Sequence, residues 1–374
     1  MKNNKKIPVF NFTLGNKEKK FVNDCLKTSF IGQGSYVKTF EKNFSKFINC
    51  NFGVTTTSGT TALHLACKTV GIEKDDQVLV SSSTNMASAF SVDYCGAIPI
   101  PIDIEKETWQ MDVRKIEEKI NEKTKAIMVV HLFGHPVDMD PVLKIAKKYN
   151  LKIIEDCAEA HGVEYKGRKV GSIGDIAAFS FFANKTFTCG EGGMIVTNSK
   201  ELAKKAESLK NLAYGKINKF MHDDIGFNYR LPNISAAIGL GQLLQKNKIF
   251  YEKKRIYNRY QKNLKNIKGV NIPVIRKWAT KYIMWVFNLY LDNNFPLSRD
   301  QLVKKLEEKG IETRNAFVPI NKQKVLIKKY GLFKEKDCPN ANYIMDNGFY
   351  LPSGNNIKNK EIDFICNEII KHSL

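Results

Sequence analysis

The chain has 374 residues, 43% of them hydrophobic and 11% aromatic, and a formal net charge of +21. This size and composition predict a globular protein with room for two domains, and no run of about 18 apolar residues suggests a membrane helix. Of the 59 basic residues all but eight are lysines spread along the whole chain, which favours a general lysine bias over a nucleic-acid-binding surface. A basic surface would still attract an anionic substrate.

The eight cysteines are scattered, and none forms a C-x-x-C pair. We therefore expect free thiols, as in a cytoplasmic protein, and neither a disulfide framework nor a zinc site. Cys157 and Cys189 flank the site described below and are interpreted as packing positions. The N-terminal stretch MKNNKKIPVFNF is charged but lacks an apolar segment, so we expect no signal peptide.

Helix and strand patterns alternate through about the first 160 residues. Predicted helices cover residues 14–28, 36–48, 87–94, 112–121 and 139–149, and predicted strands cover residues 77–81, 98–102, 125–131 and 151–156. This alternation favours an α/β fold with a mostly parallel sheet and right-handed crossovers. No G-x-G-x-x-G segment follows a strand, so a dinucleotide is not expected.

Small hydroxyl residues and a glycine precede the apolar helix pattern that begins at Ala62. Ser58, Gly59 and Thr60 stand at the helix start, where backbone N–H groups and the helix dipole can form an anion site. One interpretation is therefore a phosphate-binding cup. The other is an ordinary helix cap, because serine and threonine cap many helices.

The strand predicted at residues 151–156 ends in two acids, Glu155 and Asp156. An acid at the carboxyl end of a strand in an α/β sheet points into the crevice where ligands bind. Asp156 could therefore keep the ring nitrogen of a pyridine cofactor protonated. The alternative is that Asp156 caps a helix formed by the following residues, 157–162.

Lys185 lies between an apolar run, 177–182, predicted as a buried strand, and a glycine turn, 190–193, that precedes a second strand at 194–197. A lysine beside apolar surface has its ammonium form disfavoured, and a neutral amine can condense with an aldehyde cofactor. Taken alone, Lys185 is more readily interpreted as a lysine on a surface turn. The order of cup, acid and lysine favours a pyridoxal-phosphate enzyme.

Several motifs together resemble the DegT–DnrJ–StrS family of nucleotide-sugar aminotransferases: TSGTTALHLA, GAIPIPIDIE, TKAIMVVHLFGHPVDMDP, IIEDCAEAHG, NKTFTCGEGGMIVTN and IGFNYRLPNISAAIGLGQL. The resemblance covers about residues 8–371. It implies a fold type I transferase that uses pyridoxal 5'-phosphate. The EDCAEAHG and HLFGHPVDMDP segments look most similar to perosamine-synthase-like members, which aminate C4 of a nucleotide-linked 4-keto-6-deoxy sugar, with L-glutamate as the amino donor.

The same resemblance implies roles for single residues. Lys185 would bond the cofactor and move protons, and Asp156 would face the ring nitrogen. Ser180 would reach the phosphate, although an inward strand serine bonded to backbone is the alternative. Glu159 would contact the 3-oxygen of the cofactor. Asn85 stands where relatives usually have an aromatic residue stacked on the ring.

Asn228, in GFNYRLP, would reach the cofactor phosphate of a neighbouring subunit. This role implies a homodimer with two shared sites. The alternative for Asn228 is a plain turn residue. Asn321 stands where relatives usually have a histidine in a P-x-H-x-Q segment, and His161 is interpreted as structural.

We predict a large cofactor-binding domain over residues 1–245, N-terminal arm included, and a smaller α+β domain over residues 246–374. A helix at 200–212 belongs to the first domain. Small residues at 234–244 suit close packing between domains or subunits, and a long charged helix, 244–264, leads into the second domain. That domain also contains a predicted strand at 282–291 and a helix at 299–309.

Lys185 argues against the 3-dehydratase branch of the family, whose members carry histidine at this position. Two alternatives stay open, a nucleotide-3-keto-sugar aminotransferase and a non-catalytic regulator or scaffold. We expect a role in surface polysaccharide or lipopolysaccharide biosynthesis. We expect no metal ion, nucleic acid or membrane as a partner.

Overall fold

The computed structural model describes residues 6–11, 13–215, 217–218, 220–331 and 333–373. Residues 1–5, part of the stretch assessed for a signal peptide, lie outside the described residues. Across the described ranges, none of the helices combines the length and the apolar composition needed to cross a membrane.

A seven-stranded sheet organises the N-terminal two thirds of the chain. Its strands, in spatial order, are β1 (Phe52–Thr56), β9 (Gly193–Thr197), β8 (Ile176–Ser180), β5 (Lys152–Asp156), β4 (Thr124–Val130), β2 (Gln77–Ser81) and β3 (Ile98–Ile102). β9 runs antiparallel to both of its neighbours, and the remaining pairs are parallel. The predicted α/β fold with a mostly parallel sheet is confirmed.

Helices flank this sheet and continue into the C-terminal part. In chain order they are α1 (Asn16–Thr28), α2 (Ser35–Ile48), α3 (Gly59–Val70), α4 (Ala87–Asp93), α5 (Met139–Tyr149), α6 (Lys200–Lys210), α7 (Asn233–Leu243), α8 (Lys246–Leu264), α9 (Arg299–Glu308), α10 (Lys324–Tyr330), α11 (Pro339–Asn347) and α12 (Asn359–Lys371).

Both faces of the large sheet are buried. On one face Phe179 of β8 packs against Phe44 of α2, and the other face packs against α3 through Leu63 and Leu65. Every residue of β8 is buried. Because the strand is covered on both faces, its sequence is a nearly continuous apolar run. Packing on both faces therefore fixes the positions of the strand ends.

Two smaller antiparallel sheets complete the fold. The larger of them has the order β10 (Val270–Asn271), β12 (Phe287–Leu291), β14 (Gly348–Leu351) and β13 (Arg314–Asn315), and the other has the order β11 (Ala279–Lys281), β6 (Glu164–Tyr165) and β7 (Arg168–Lys169). α8 packs against α12 beside the four-stranded sheet. Ile7 forms a bridge with Ile311, so the start of the chain reaches this C-terminal core.

Two predicted elements differ from the structure. The helix predicted at residues 112–121 is absent, and two short 3-10 turns, Val113–Lys115 and Glu117–Lys119, stand in its place. Ile116 is buried, and Val113 and Ile120 are partly buried against the same core, so this apolar spacing, which suggested a helix, is accommodated by the two short turns. The strand predicted at 282–291 is shorter and covers only β12, and of the residues before it Trp285 lines the cavity described next.

Candidate active site

The carboxyl ends of β5 and β8 and the amino end of α3 meet at one edge of the large sheet, around a cavity of about 350 Å³. Of the nine residues predicted for the site, eight line this cavity: Ser58, Gly59, Thr60, Asn85, Asp156, Glu159, Ser180 and Lys185. A larger cavity of about 490 Å³ lies between the α7–α8 junction and the start of α12, and it contains none of them.

Asn228 lies away from the cavity that the other predicted residues share. It is exposed and forms a bridge with Asn211. Its predicted contact is with a neighbouring subunit, so that role stays a prediction.

Asp156 ends β5 with its carboxylate buried. Oδ2 accepts a hydrogen bond from Ser88 Oγ at 2.7 Å, and Oδ1 accepts one from the N–H of Ala158 at 3.1 Å. Burial raises the pKa of Asp156 above its ordinary value, and these hydrogen bonds act against the rise. The alternative of a helix cap is wrong, because residues 157–162 form turns and Asp156 caps the first of these turns.

A buried network fixes the strand behind Asp156. His131 Nε2 lies 3.1 Å from Glu155 Oε2, and the Glu155 carboxylate also accepts hydrogen bonds from the N–H groups of Gly171, Ile173 and Gly174. Burial alone would raise the pKa of Glu155, but His131 and these backbone donors outweigh burial and lower it. His131, Glu155 and Cys157 have their ligand atoms within 4.8 Å of one another. The carboxylate of Glu155 is already satisfied, which favours a structural role for this cluster.

Lys185 projects into the cavity from the connection between β8 and β9. Its side chain is 10% exposed, and Nζ lies 3.3 Å from Glu159 Oε1. Glu159 Oε2 accepts the N–H of Phe133 at 3.1 Å. Burial raises the pKa of Glu159, while Lys185 acts in the opposite direction. The amine is therefore held beside an acid in a largely water-excluded place.

The amino end of α3 faces the third corner of the cavity. Ser58 caps the helix by accepting the N–H of Thr61, and helix geometry leaves the N–H groups of Gly59 and Thr60 without an intrahelical acceptor. A Cβ at Gly59 would lie 2.6 Å from Ser180 Cβ. Only glycine therefore allows Ser180 to approach the helix end this closely.

These groups are chemically complementary to pyridoxal phosphate. The carboxylate of Asp156 matches a ring nitrogen that carries a proton, and the amine of Lys185 matches an aldehyde. The N–H groups at the start of α3, together with Ser180, match a phosphate. The cradle at Gly59, which a Cβ would fill, is the structural observation that supports this fit.

Asn85 lines the cavity but is otherwise exposed. Its Oδ1 accepts the N–H of Ala87 at 3.0 Å, which ties the amide to the start of α4. The structure therefore gives its side chain a local partner, and contact with a cofactor ring stays a prediction.

His161, Cys157 and Cys189 are packed in the core beneath the site. His161 lies against Phe44, Phe179 and other phenylalanine rings, and burial lowers its pKa to about 3. Burial raises the pKa of both thiols. These surroundings are those of packing positions.

Sequence reasoning missed the aromatic residues that close the cavity. Trp285, Phe317 and Tyr350 come from the C-terminal part, and Phe182 comes from the connection after β8. Trp285 is one of only three tryptophans in the chain, which is the one signal that could have drawn attention to it. Asn321, by contrast, does not line the cavity and hydrogen-bonds to Asn342 and the carbonyls of Lys334 and Glu335.

Comparison with known protein families gives a match over nearly the whole chain. The model of the DegT/DnrJ/EryC1/StrS aminotransferase family matches residues 13–370. The chain is similar to GDP-perosamine synthase of Escherichia coli O157:H7, with 41% identity over 366 residues and 98% of both chains covered. It is also similar to GDP-perosamine synthase of Vibrio cholerae, with 37% identity over 364 residues, 96% of this chain and 97% of the relative.

Solved structures agree with this match. S. venezuelae DesV superposes with a TM-score of 0.90 at 28% identity, covering 98% of both chains. Spr1654 from Streptococcus pneumoniae, in its PLP form, superposes with a TM-score of 0.92 at 25% identity, covering 99% of both chains.

Proposed function

The chain belongs to the DegT/DnrJ/EryC1/StrS aminotransferase family, and on this premise we propose that it aminates C4 of a GDP-linked 4-keto-6-deoxy sugar. It is a pyridoxal-phosphate-dependent sugar aminotransferase. The observation that carries the finer assignment is the 41% identity to a GDP-perosamine synthase over 98% of both chains. The product would feed the synthesis of a surface polysaccharide or lipopolysaccharide.

The residues of the cavity divide the work of binding and proton transfer. When bound, pyridoxal phosphate supplies an aldehyde for the amino group and a ring that accepts the electron pair left at the reacting carbon. Asp156, oriented by Ser88 and Ala158, holds a proton at the ring nitrogen. The N–H groups of Gly59 and Thr60 and the hydroxyl of Ser180 bind the phosphate. These assignments are supported by the position of each group around one cavity.

Lys185 is the residue we assign to proton transfer. In each half of the reaction its Nζ would move a proton between the reacting carbon of the substrate and that of the cofactor. This role requires a mobile amine close to both carbons. Glu159 would keep that amine near the reacting atoms and would contact the 3-oxygen of the cofactor. The 3.3 Å contact between Lys185 Nζ and Glu159 Oε1 supports this arrangement.

L-Glutamate is the proposed amino donor, and a homodimer with shared sites is the proposed assembly. The dimer is supported by exposed apolar side chains on the loop before Asn228: Ile217, Phe220, Met221 and Ile225 are each at least 69% exposed. Such a patch is typical of a protein–protein interface. Asn228 follows this loop and would enter the partner's site.

A cytoplasmic location is also part of the proposal. All eight cysteines, each within the described residues, are free thiols, and seven are buried. Unpaired cysteines are the common state in a reducing compartment.

The test is to incubate the purified protein with pyridoxal phosphate, ¹⁵N-labelled L-glutamate and a panel of nucleotide keto sugars, and to follow the sugar mass. We expect the label in the GDP-linked 4-keto-6-deoxy sugar. Labelling of a dTDP-linked 3-keto sugar alone would establish the alternative aminotransferase instead. Cofactor binding without turnover of any sugar would support the regulator or scaffold.

A further inference from the structure

Trp285 forms the wall of the cavity opposite the strand ends. It lies just before β12 in the C-terminal part and is 2% exposed. Its indole stacks with Phe10 at a centroid distance of 5.6 Å and with Phe133 at 5.9 Å. These two neighbouring rings restrict the orientation of the indole.

The indole contacts the Lys185 segment in two ways. Its Nε1–H donates a hydrogen bond to the carbonyl of Asn184 at 2.8 Å, which fixes the backbone next to the lysine. Nζ of Lys185 lies 3.9 Å from the ring centroid, which is within the range of a cation–π contact. Glu159 and Trp285 therefore hold the amine together, one through a carboxylate and the other through a ring face.

A buried lysine fixes Trp285 from behind. Lys253, on α8, is 3% exposed and donates hydrogen bonds to the carbonyl of Trp285 at 2.8 Å and to that of Ser353 at 2.9 Å. Burial lowers the pKa of Lys253 to about 7, but its amine is a hydrogen-bond donor that needs acceptors when buried, so this contact fixes the backbone at Trp285. The position of the indole is thereby set by α8 as well as by its ring neighbours.

We propose that Trp285 is a positioning residue for Lys185. The face of its indole stabilises the lysine cation while the amine is not bonded to the cofactor. This inference rests on the proposed function, in which Lys185 must leave the cofactor and carry a proton. Glu159 is a weakened counter-ion because burial favours its neutral form. The ring face attracts a cation without any ionisation of its own.

The test compares two ligands of the cofactor-free protein. Pyridoxal phosphate bonds covalently to the Lys185 amine through its aldehyde. Pyridoxamine phosphate has no aldehyde and leaves this amine free. We expect loss of the indole's electron-rich face to raise the ratio of the Kd for pyridoxamine phosphate to that for pyridoxal phosphate. Trifluorotryptophan placed at position 285 alone keeps the shape of the ring but weakens its negative face, and we expect the ratio to rise about 5-fold.

Substitutions separate the two contacts of the indole. Trp285→Met removes both the face and the N–H, and we expect the ratio to rise about 10-fold. Trp285→Phe keeps a face and loses only the hydrogen bond to Asn184, and we expect the ratio to stay within about 3-fold of the original. Trp278→Phe is the matched control, because Trp278 lies outside the cavity and donates to the carbonyl of Pro136.

An unchanged ratio in the fluorinated protein would overturn the proposal, and it decides the matter even where Trp285→Met does not fold. An equal rise in Trp278→Phe would also overturn it. Failure of the unaltered protein to bind either ligand would instead refute the proposed function, together with the inference that rests on it.

Discussion

At the scale of residues, the polar side chains of the site could be predicted from the sequence, whereas the aromatic residues that line it could not. Asp156 and Lys185 stand next to strand ends, so a local sequence pattern is enough to suggest them. Trp285 reaches the site through a contact with Asn184, 101 positions earlier in the chain. No local pattern encodes such a contact, because it depends on how the C-terminal part packs against the large sheet.

Replacing Lys185 by alanine tests both its chemistry and the charge balance of the cavity. We expect Lys185→Ala to abolish sugar amination while the protein still folds. Without the nearby cation, the pKa of Glu159, already raised by burial, should rise further. The folded protein then retains a proton that the unfolded chain releases above about pH 4.3, so stability falls as pH rises.

The measurement is the melting temperature of Lys185→Ala and of the unaltered protein at pH 5 and at pH 8. We expect the melting temperature of Lys185→Ala to lie further below that of the unaltered protein at pH 8 than at pH 5. Lys166→Ala is a suitable control, because it removes a lysine from an exposed ion pair with Asp140. Equal deficits at both pH values would contradict the assigned environment of Glu159, and retained amination would contradict the role of Lys185.

At the scale of elements, the strands of the large sheet and most helices were predictable because buried strands and amphipathic helices have clear periods. The helix predicted at residues 112–121 is wrong: Val113, Ile116 and Ile120 have helical spacing and contact the core, but they do so from two short 3-10 turns. The resemblance implied that Gly59 and Ser180 both lie at the cofactor phosphate, but not that the two residues pack directly against each other. That contact forms only when α3 packs on the sheet.

Gly59→Ala is expected to disturb this contact. The added methyl would lie 2.6 Å from Ser180 Cβ, so α3 or Ser180 must shift. Overpacking of this kind costs about 1–3 kcal/mol, which urea unfolding can measure. We also expect weaker binding of pyridoxal phosphate. Adding Ser180→Gly should recover the lost stability but not the cofactor affinity, and a double variant as unstable as Gly59→Ala would contradict the steric explanation.

At the scale of the whole molecule, the cavity lies between the large sheet and residues from the C-terminal part. The boundary between residues 245 and 246 stays a prediction, supported by the start of α8 at Lys246. The family, the fold and the cofactor could be predicted from the sequence, because several motifs typical of the family occur in the expected order along the chain. The identity of the sugar was not, since no single residue specifies the nucleotide or the carbon that is aminated.

A mixing experiment tests the shared sites. Lys185→Ala and Asn228→Ala proteins should each be inactive or strongly impaired alone. After subunit exchange, a mixed dimer has one doubly altered site and one intact site, so about one site in four of the whole population should work. Recovery of amination in the mixture, measured beside the unmixed variants, is the expected result. A mixture no more active than its components would count against shared sites.

The contact between Trp285 and Asn184 also bears on how the protein is made. A ribosome adds roughly 5–20 residues per second, so about 5–20 seconds separate the synthesis of Asn184 from that of Trp285. During this interval the nascent chain contains Lys185 but not the wall that covers it. Complete enclosure of the cofactor is therefore a late event in the life of each new chain, and follows the emergence of the C-terminal part from the ribosome.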